Sequence, residues 1–300
     1  MILSVVIVSY NTKELLSKCL QSLDASLKSA GLLSKSEIIV VDNASTDGSV
    51  EMIQKKFPKV VLIKNSANLG FGGANNQGIR QTKGDFVLLL NSDTVLYPTT
   101  IKSSLDEIAK TKADILGPAL LNPDESVQQS VGYFPNLVRV FLWMLFLDNI
   151  PLVYNLIKPY HVKVSSFYKS DHWVDWVTAA YFLARSKVFA KNLFDPKVFM
   201  YAEEVELCYR IKKQGFKILY SPVSTLLHLK GGSGSGQTAG IKEELYGIEY
   251  IYRKHSNILA FLVVKLLLTL GALLRIFIFG IMLKSEKRKK SYLEYLKLVG

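Results

Sequence analysis

Cysteine is scarce in this 300-residue sequence, which has only Cys19 and Cys208. Both fall within helical spacings of apolar residues, so the sequence predicts no disulfide framework and suits a reducing cytosol. No basic segment precedes the first apolar strand pattern, so a secretory signal peptide is not expected. Acidic residues are also in deficit, 25 against 37 basic ones, which gives a formal net charge of +12 at pH 7. This excess favours an anionic partner such as a membrane surface.

Two common nucleotide-binding motifs are missing as well. The segment with three glycines, residues 68–73, has neither the spacing of the dinucleotide fingerprint nor the Gly-Lys-Ser/Thr of the phosphate loop. Both of those functions are therefore disfavoured. The same glycines allow a backbone to approach a ligand closely.

The first third of the chain alternates between strand and helix patterns. Strands buried on both faces are predicted from four short apolar runs, residues 2–8, 38–41, 60–63 and 86–90. Thr12 is expected to cap a first helix and Asp47 a second one over residues 49–57, and a third should begin near Ala74. This alternation predicts an α/β fold, a doubly wound sheet of right-handed βαβ units.

Polar residues follow these apolar runs several times over. They are Ser9-Tyr10-Asn11, Asp42-Asn43, the segment 68–76 and Asn91-Ser92-Asp93. Any one of these segments alone is more often a turn with a helix cap. Because the carboxyl ends of the strands form the ligand crevice of an open sheet, their recurrence predicts one polar site. The site suits a phosphorylated nucleotide and a divalent metal.

Together these segments resemble the N-terminal half of family 2 inverting glycosyltransferases with the GT-A fold. The resemblance is greatest to the branch of rhamnosyltransferases that act on lipid-linked or cell-wall glycans. It implies that the base and ribose of a nucleoside-diphosphate sugar are held by Ser9, Tyr10, Asn11, Asp42 and Asn43. It also implies that the diphosphate and donor sugar are bordered by the 68–76 segment, through Asn68, Gly70, Phe71, Gly72, Asn75 and Asn76.

The resemblance also implies a metal site. The Asp-x-Asp motif of the family stands here as Asn91-Ser92-Asp93. Asp93 is therefore expected to bind Mg²⁺ or Mn²⁺, while Asn91 acts through its carbonyl or through water. A histidine that ends a strand before a glycine-rich loop completes the metal and diphosphate site in the family, and His228 before residues 231–236 matches it. The loop itself is expected to order over bound donor as a lid.

A cluster of acids in the second half resembles the catalytic motif of the family. Phe199-Met200-Tyr201-Ala202-Glu203-Glu204 and the residues up to Arg210 match the stretch whose second acid is the general base. That residue is Glu204, with Glu203 as the next candidate. Crowded carboxylates raise one another's pKa, which suits a base near neutral pH. The alternative is a solvated helix N-terminus in which Glu206 pairs with Arg210.

Two further segments are less specific. Residues 173–180 resemble the family stretch that lines the sugar pocket, so Asp175 and Trp176 are candidates for substrate binding, although both are equally compatible with a core. The apolar run 138–147 is too short to span a bilayer and is expected to pack or lie at an interface.

The last fifty residues differ in composition. Residues 258–283 are almost wholly apolar, and a basic run follows at 284–290. With Lys265 and Arg275 inside it, the apolar segment is expected to lie in a membrane interface rather than cross it. The alternative is a helical hairpin that packs on the catalytic domain. The expected organisation is thus a GT-A domain over 1–253, with halves 1–113 and 114–253, and a membrane-associating helical tail over 254–300.

These observations predict a cytoplasmic enzyme, peripheral on the inner face of the cell membrane. It is expected to move a sugar from a nucleoside-diphosphate sugar to a hydroxyl of a lipid-linked or cell-envelope glycan with inversion. A sugar-phosphate nucleotidyltransferase is an alternative, but its glycine-rich, Arg- and Lys-bearing N-terminal loop is missing. A non-catalytic membrane scaffold or a nucleic-acid binder explains the basic tail but not the acids at strand ends, and no nucleic-acid partner is expected.

Overall fold

Nine strands form one mixed sheet in the part of the chain that the computed structural model describes, residues 1–229 and 239–299. The described residues contain eleven strands in all, β1 Leu3–Ser9, β2 Ser36–Asp42, β3 Val61–Lys64, β4 Phe86–Asn91, β5 Thr94–Leu96, β6 Ile115–Leu121, β7 Val131–Gly132, β8 His172–Val174, β9 Trp176–Val177, β10 Tyr181–Arg185 and β11 Ile218–His228. The order across the sheet is β3-β2-β1-β4-β10-β6-β11-β5, β8 pairs with β11, and β7 and β9 form a separate ribbon.

Helices cover the sheet and form the C-terminal region. They are α1 Lys13–Ser29, α2 Ser49–Lys56, α3 Gly70–Ile79, α4 Thr100–Thr111, α5 Leu137–Met144, α6 Pro151–Leu156, α7 Glu203–Lys213, α8 Ala239–His255, α9 Ile258–Phe277 and α10 Glu286–Val299. A short π-helical turn, Ile278–Met282, follows α9.

The four predicted N-terminal strands are confirmed, each within two residues of its expected bounds. β3, β2, β1 and β4 are parallel neighbours, and the register places Ser9 beside Asp42 and Val8 beside Asn91. Val5, Val6 and Ile7 of β1 are completely buried, as expected of a strand covered on both faces. The polar ends of three strands therefore lie along one edge of the sheet. The second half adds β10, which runs antiparallel to both β4 and β6 and makes the sheet mixed.

The helix starts show where local pattern and structure differ. The Thr12 hydroxyl does not cap α1; it donates to the Ser92 hydroxyl. Asp47 instead accepts from the Lys13 N–H with one oxygen and from the Ser49 N–H with the other, so one carboxylate serves two helix starts. The expectation that the third helix begins near Ala74 is wrong, because α3 begins at Gly70 and includes the glycine-rich turn.

The glycines of that turn make room for protein rather than only for ligand. Gly70 has φ +74°, and a β-carbon there would lie 2.7 Å from the Phe199 ring. A β-carbon on Gly72 would lie 2.8 Å from Cβ of Phe194. The segment that precedes Glu203 and Glu204 thus packs directly on the start of α3.

Gly70→Ala is expected to lower the free energy of unfolding by about 2 kcal/mol or more, because the left-handed backbone and the contact with Phe199 both resist a methyl group. Gly215→Ala is the matched control, since Gly215 has φ +87° but no atom within 4 Å of its added β-carbon. Urea unfolding measures both. Equal losses would show that the contact with Phe199 contributes nothing.

The C-terminal helices pack on the domain that contains the sheet. Val264, Leu268 and Ala272 of α9 are fully buried in the same apolar core as the sheet residues. Arg275 is buried too; it donates to the Trp143 carbonyl and its guanidinium lies over the Phe146 ring at 4.5 Å. These contacts agree with the packed-hairpin alternative for one face of the tail. The domain boundary at residue 253 falls inside α8 and stays a prediction.

Candidate active site

The strand-end edge carries unpartnered acceptor atoms. Asp42, at the end of β2, accepts the Ser45 N–H with Oδ2, while its Oδ1 is buried with no partner in the described structure. Oδ1 of Asn91, at the end of β4, is likewise buried and has no hydrogen-bond partner in the described structure. A buried acceptor without a donor is unfavourable by about 1–3 kcal/mol. Both atoms are therefore suited to a donor group or a cation that is supplied from outside the chain.

The residues expected to hold the nucleotide base surround this edge. The Ser9 hydroxyl pairs with that of Thr12, which fixes the loop after β1. Asn11 has φ +52°, and its side-chain oxygen accepts the Thr46 N–H. Tyr10 is 38% exposed beside them. The structure thus brings this group together, with an aromatic ring available at the surface.

Asparagines organise the segment that is expected to border the diphosphate. Asn43 Nδ2 donates to Asn68 Oδ1 at 2.8 Å, and Asn43 Oδ1 accepts from the Leu69 N–H. Asn76 bonds both the N–H and the carbonyl of Phe194, which uses both ends of its amide. Asn75 donates to the Phe71 carbonyl. These contacts hold the loop in place, and the predicted ligand roles of the same residues stay predictions.

Asp93 and His228 come together across neighbouring strands. β5 and β11 are antiparallel, and Thr94 lies opposite His228. As a result Nε2 of His228 lies 3.3 Å from Oδ1 of Asp93, and both side chains are mostly buried. No cluster of three or more metal-ligating side chains occurs within residues 1–229 and 239–299. If a metal binds at this edge, its protein ligands would come from this pair, with Asn91 nearby in sequence.

The three glutamates at the start of α7, Glu203, Glu204 and Glu206, have different surroundings. Glu206 is completely buried and bonded to Arg210, Lys254 and His255. Burial alone would raise the pKa of Glu206, but these partners outweigh it and lower the pKa. The predicted Glu206–Arg210 pair is confirmed within α7, and the bonds of Glu206 to Lys254 and His255 tie α7 to α8.

Glu203 and Glu204 lie in a different environment. Glu203 accepts the Ala202 N–H, whereas Oε2 of Glu204 is buried with no hydrogen-bond partner in the described structure. Burial raises the pKa of Glu204 well above its usual range, and the charges of Glu203 and Glu244 raise it further. A carboxylate that has one buried oxygen without a hydrogen-bond partner and a raised pKa is chemically suited to remove a proton.

Asp175 and Trp176 are engaged by the protein itself. The Asp175 carboxylate pairs with Lys212 and accepts the Phe134 N–H. The Trp176 ring is buried, and its Nε1 has no hydrogen-bond partner in the described structure. Their predicted role in sugar binding stays a prediction. The glycine-rich segment 231–236, expected to be a lid, lies outside the described residues.

Two parts of the site have no signal in the sequence patterns. Gln128, from an irregular segment before β7, bonds both the ring and the carbonyl of His228. His161 and Glu244 pair at 2.6 Å, and the Glu244 charge acts on Glu204. Gln128, His161 and Glu244 belong to no sequence motif that includes Asp93 or Glu204. Only the tertiary structure places them beside these acids.

Comparison with known proteins decides the family. The profile described as "Glycosyl transferase family 2" matches residues 4–161. The chain belongs to this family. A GT-A fold and glycosyltransferase activity are thereby established for it, and the nucleotidyltransferase and scaffold alternatives fall away.

Individual proteins also resemble the chain. The chain is 30% identical over 214 residues to N-acetylglucosaminyl-diphospho-decaprenol L-rhamnosyltransferase of Mycobacterium tuberculosis, covering 65% of this chain and 67% of the relative. It is 26% identical over 235 residues to rhamnosyltransferase WbbL of Escherichia coli, covering 75% and 82%. The crystal structure of S. aureus TarS 1-349 superposes with a TM-score of 0.56 at 17% identity, covering 99% of this chain and 79% of that one. This last likeness supports the fold alone.

Proposed function

We propose that the chain is a metal-dependent inverting glycosyltransferase that uses Glu204 as its general base. The observation that carries the proposal is the buried, unpartnered Oε2 of Glu204 at the start of α7 in a family 2 fold. Glu204 takes the proton of an acceptor hydroxyl as the hydroxyl oxygen attacks the anomeric carbon. The bond to the nucleoside diphosphate breaks, and this single displacement inverts the anomeric centre.

The donor set at the sheet edge fits a hard divalent cation. Asp93 contributes a carboxylate oxygen, His228 an imidazole nitrogen, and Asn91 has an unpartnered buried oxygen. Mg²⁺ is typically bound by one or two carboxylates together with substrate phosphates, and carboxylates suit Mn²⁺ equally. A cation held by Asp93 and His228 would neutralise charge on the departing diphosphate.

The substrates are proposed from the relatives. Two of them are rhamnosyltransferases by name, one of these named for an acceptor linked to decaprenol through a diphosphate. TarS has been crystallised with UDP and with UDP-GlcNAc. We therefore assign a nucleoside-diphosphate sugar as donor, with rhamnose as the first sugar to test, and a hydroxyl of a lipid-linked or cell-envelope glycan as acceptor.

Calorimetric titration of nucleoside-diphosphate sugars in the presence of Mn²⁺ tests the donor. One nucleotide-sugar should bind, and its anomeric configuration should invert in the transfer product, as NMR of that product would show. Retention of configuration would contradict the single displacement. Binding that is the same with EDTA as with Mn²⁺ would contradict the metal but leave Glu204 as the base.

The outer face of α9 supports a peripheral membrane location. By length and composition, the helix Ile258–Gly280 would suffice to cross a bilayer. Its inner face packs on the protein, however, while one outward stripe is at least half exposed along its length. The stripe consists of Leu259, Leu262, Leu266, Leu270, Leu273 and Phe277. Exposed apolar surface of this extent marks an interaction site, and exposed Lys284, Lys287, Arg288 and Lys290 follow it.

We assign this stripe to the surface of an anionic bilayer, because leucine suits the acyl boundary and the basic residues suit its headgroups. The inner face of α9 then holds the catalytic domain while the outer face contacts lipid. Lys265 and Thr269 are half-buried at the margins of the stripe. This arrangement keeps the chain on the membrane without crossing it.

Leu262→Glu with Leu266→Glu is expected to abolish sedimentation with vesicles that contain phosphatidylglycerol, while donor binding is unchanged. Both leucines are more than half exposed, so the fold loses little. Leu33→Glu, at a position 46% exposed in the N-terminal part of the chain, is the matched control. Persistent vesicle binding of the double variant would contradict the assignment.

Each basic residue after α9 that lies near the membrane surface is expected to contribute about 1 kcal/mol to the free energy of vesicle binding. Replacing Lys287, Arg288 and Lys290 with glutamine should weaken vesicle binding in proportion to anionic lipid content. Replacing the exposed lysines of α2 and its C-terminal turn, Lys55, Lys56 and Lys59, is the control of equal charge. Equal effects of the two triple variants would indicate a response to net charge and not to this surface.

A further inference from the structure

Gln128 is a buried side chain whose amide is directed at His228. It is 2% exposed, and its own N–H donates to the Leu120 carbonyl. Gln128 Nε2 lies 2.6 Å from the carbonyl oxygen of His228 and 3.4 Å from that of Leu121. Its Oε1 lies 2.9 Å from Nδ1 of the same histidine. One amide therefore bonds both the backbone and the ring of a single residue.

The orientation of the amide follows from its partners. A backbone carbonyl can only accept, so the Gln128 atom between the two carbonyls must be the NH₂ group. The other end is then the carbonyl oxygen, which also only accepts. Nδ1 of His228 must therefore carry the proton in the Nδ1–H···Oε1 bond.

This assignment decides what Nε2 presents to Asp93. In a neutral imidazole only one nitrogen is protonated, and the bond made by one nitrogen determines the state of the other. With the proton on Nδ1, Nε2 directs a lone pair toward the carboxylate of Asp93 at 3.3 Å. Two acceptors at that distance repel each other unless a proton or a metal cation lies between them.

We propose that Gln128 is a positioning residue that keeps the metal site open by holding His228 in the Nδ1–H tautomer. Without Gln128, the imidazole can move its proton to Nε2 and donate it to Asp93. The two ligands would then satisfy each other, and a cation would have to displace that hydrogen bond. This inference rests on the metal site proposed above, and it concerns a residue outside the motif that contains Asp93.

Nitrogen NMR of ¹⁵N-histidine-labelled protein tests the tautomer directly. The sequence has four histidines, and His228→Asn assigns the signal. The spectra are recorded without divalent metal and under conditions in which the His228 signal is that of a neutral imidazole, and wild-type His228 should then show a protonated Nδ1 and an unprotonated Nε2. Gln128→Met, which keeps the volume, should shift the proton to Nε2. Gln128→Glu should restore the wild-type tautomer, because it keeps an acceptor for Nδ1–H.

Electron paramagnetic resonance of Mn²⁺ provides the second measurement, with UDP, GDP or dTDP present. Gln128→Met should weaken Mn²⁺ binding by about 10- to 100-fold, and Gln128→Glu should weaken it less. Gln54→Met, at an exposed position of α2, should leave binding unchanged. Circular dichroism establishes that each variant is folded.

The outcomes separate this inference from the proposed function. A wild-type Nε2–H tautomer, or the same tautomer in wild type and Gln128→Met, would overturn the role of Gln128 even if Mn²⁺ binds. Absence of Mn²⁺ binding in wild type with all three nucleotides would overturn the metal site, while the NMR result still decides whether Gln128 controls the tautomer. Unchanged Mn²⁺ affinity in Gln128→Met would also contradict the inference.

Discussion

Glu204→Gln is expected to lower the rate of sugar transfer by about 100- to 10,000-fold, the usual loss for a general base. Donor affinity should stay close to wild type, because the base acts on the acceptor hydroxyl and not on the nucleotide. Glutamine keeps the size of the side chain but cannot accept a proton at neutral pH. Single-turnover rates at saturating donor, together with calorimetric donor titrations, measure both quantities.

The raised pKa of Glu204 predicts how both the transfer rate and the stability of the protein depend on pH. The base must be ionised, so the acidic limb of the rate profile should lie above the ordinary glutamate value of about 4.3. Removing the neighbouring charge with Glu203→Gln should move that limb to lower pH.

Burial of Glu204 favours its protonated form in the folded state. The free energy of unfolding therefore falls as pH rises from the pKa of Glu204 in the unfolded chain to its pKa in the folded protein. Glu204→Gln, which never ionises, should therefore be more stable than wild type at neutral pH.

Glu51→Gln, at an exposed position of α2, is the control for loss of one carboxylate. Retention of more than about a tenth of wild-type turnover in Glu204→Gln would be inconsistent with a general base. Glu203, which is buried and bonded to the Ala202 N–H, would then be the next residue to test.

Asp93→Asn is expected to reduce transfer by about 100-fold or more and to weaken donor binding in step. A bound metal ion stabilises charge in the transition state by several kcal/mol. Each 1.36 kcal/mol added to the activation free energy lowers the rate tenfold. The amide keeps the shape of the carboxylate but not the charge that holds a hard cation. Activity and donor affinity are measured over a range of Mn²⁺ and Mg²⁺ concentrations.

Asp106→Asn is the matched control, because Asp106 forms only an exposed pair with Lys102 on α4. Wild type treated with EDTA should reproduce the Asp93→Asn result, and added metal should restore wild type but not the variant. If EDTA leaves wild-type donor binding and turnover unchanged, neither Asp93 nor His228 is a metal ligand.

Strand positions were predictable because they depend on local composition. Continuous apolar runs bury both faces of a strand, and β1, β2, β3 and β4 lie within two residues of the predicted bounds. The polar residues after them were also placed correctly at one edge, because parallel strands align their carboxyl ends. The register of Ser9 beside Asp42 follows directly from this.

Features that depend on distant contacts were not predictable in the same way. The cap of α1 comes from Asp47, which lies beyond the next strand. Residues 70–73 are helical, and distant Phe194 and Phe199 pack on them. The tail was predicted as an interfacial helix with a packed hairpin as alternative. In the structure one face of α9 packs on the protein and the opposite face is exposed.

The sequence by itself determined the fold class, the family and the acids that carry the proposed chemistry, because each depends on residues close together in the chain. Only the tertiary structure decided which of the three acids on α7 is paired with cations and which has an oxygen left without a donor. Glu206 meets Lys254 and His255 from α8, whereas Oε2 of Glu204 meets no donor in the described structure. It also brought Gln128 to His228 across 100 residues. Burial and charge at a side chain are set by elements remote in sequence, so no local pattern contains them.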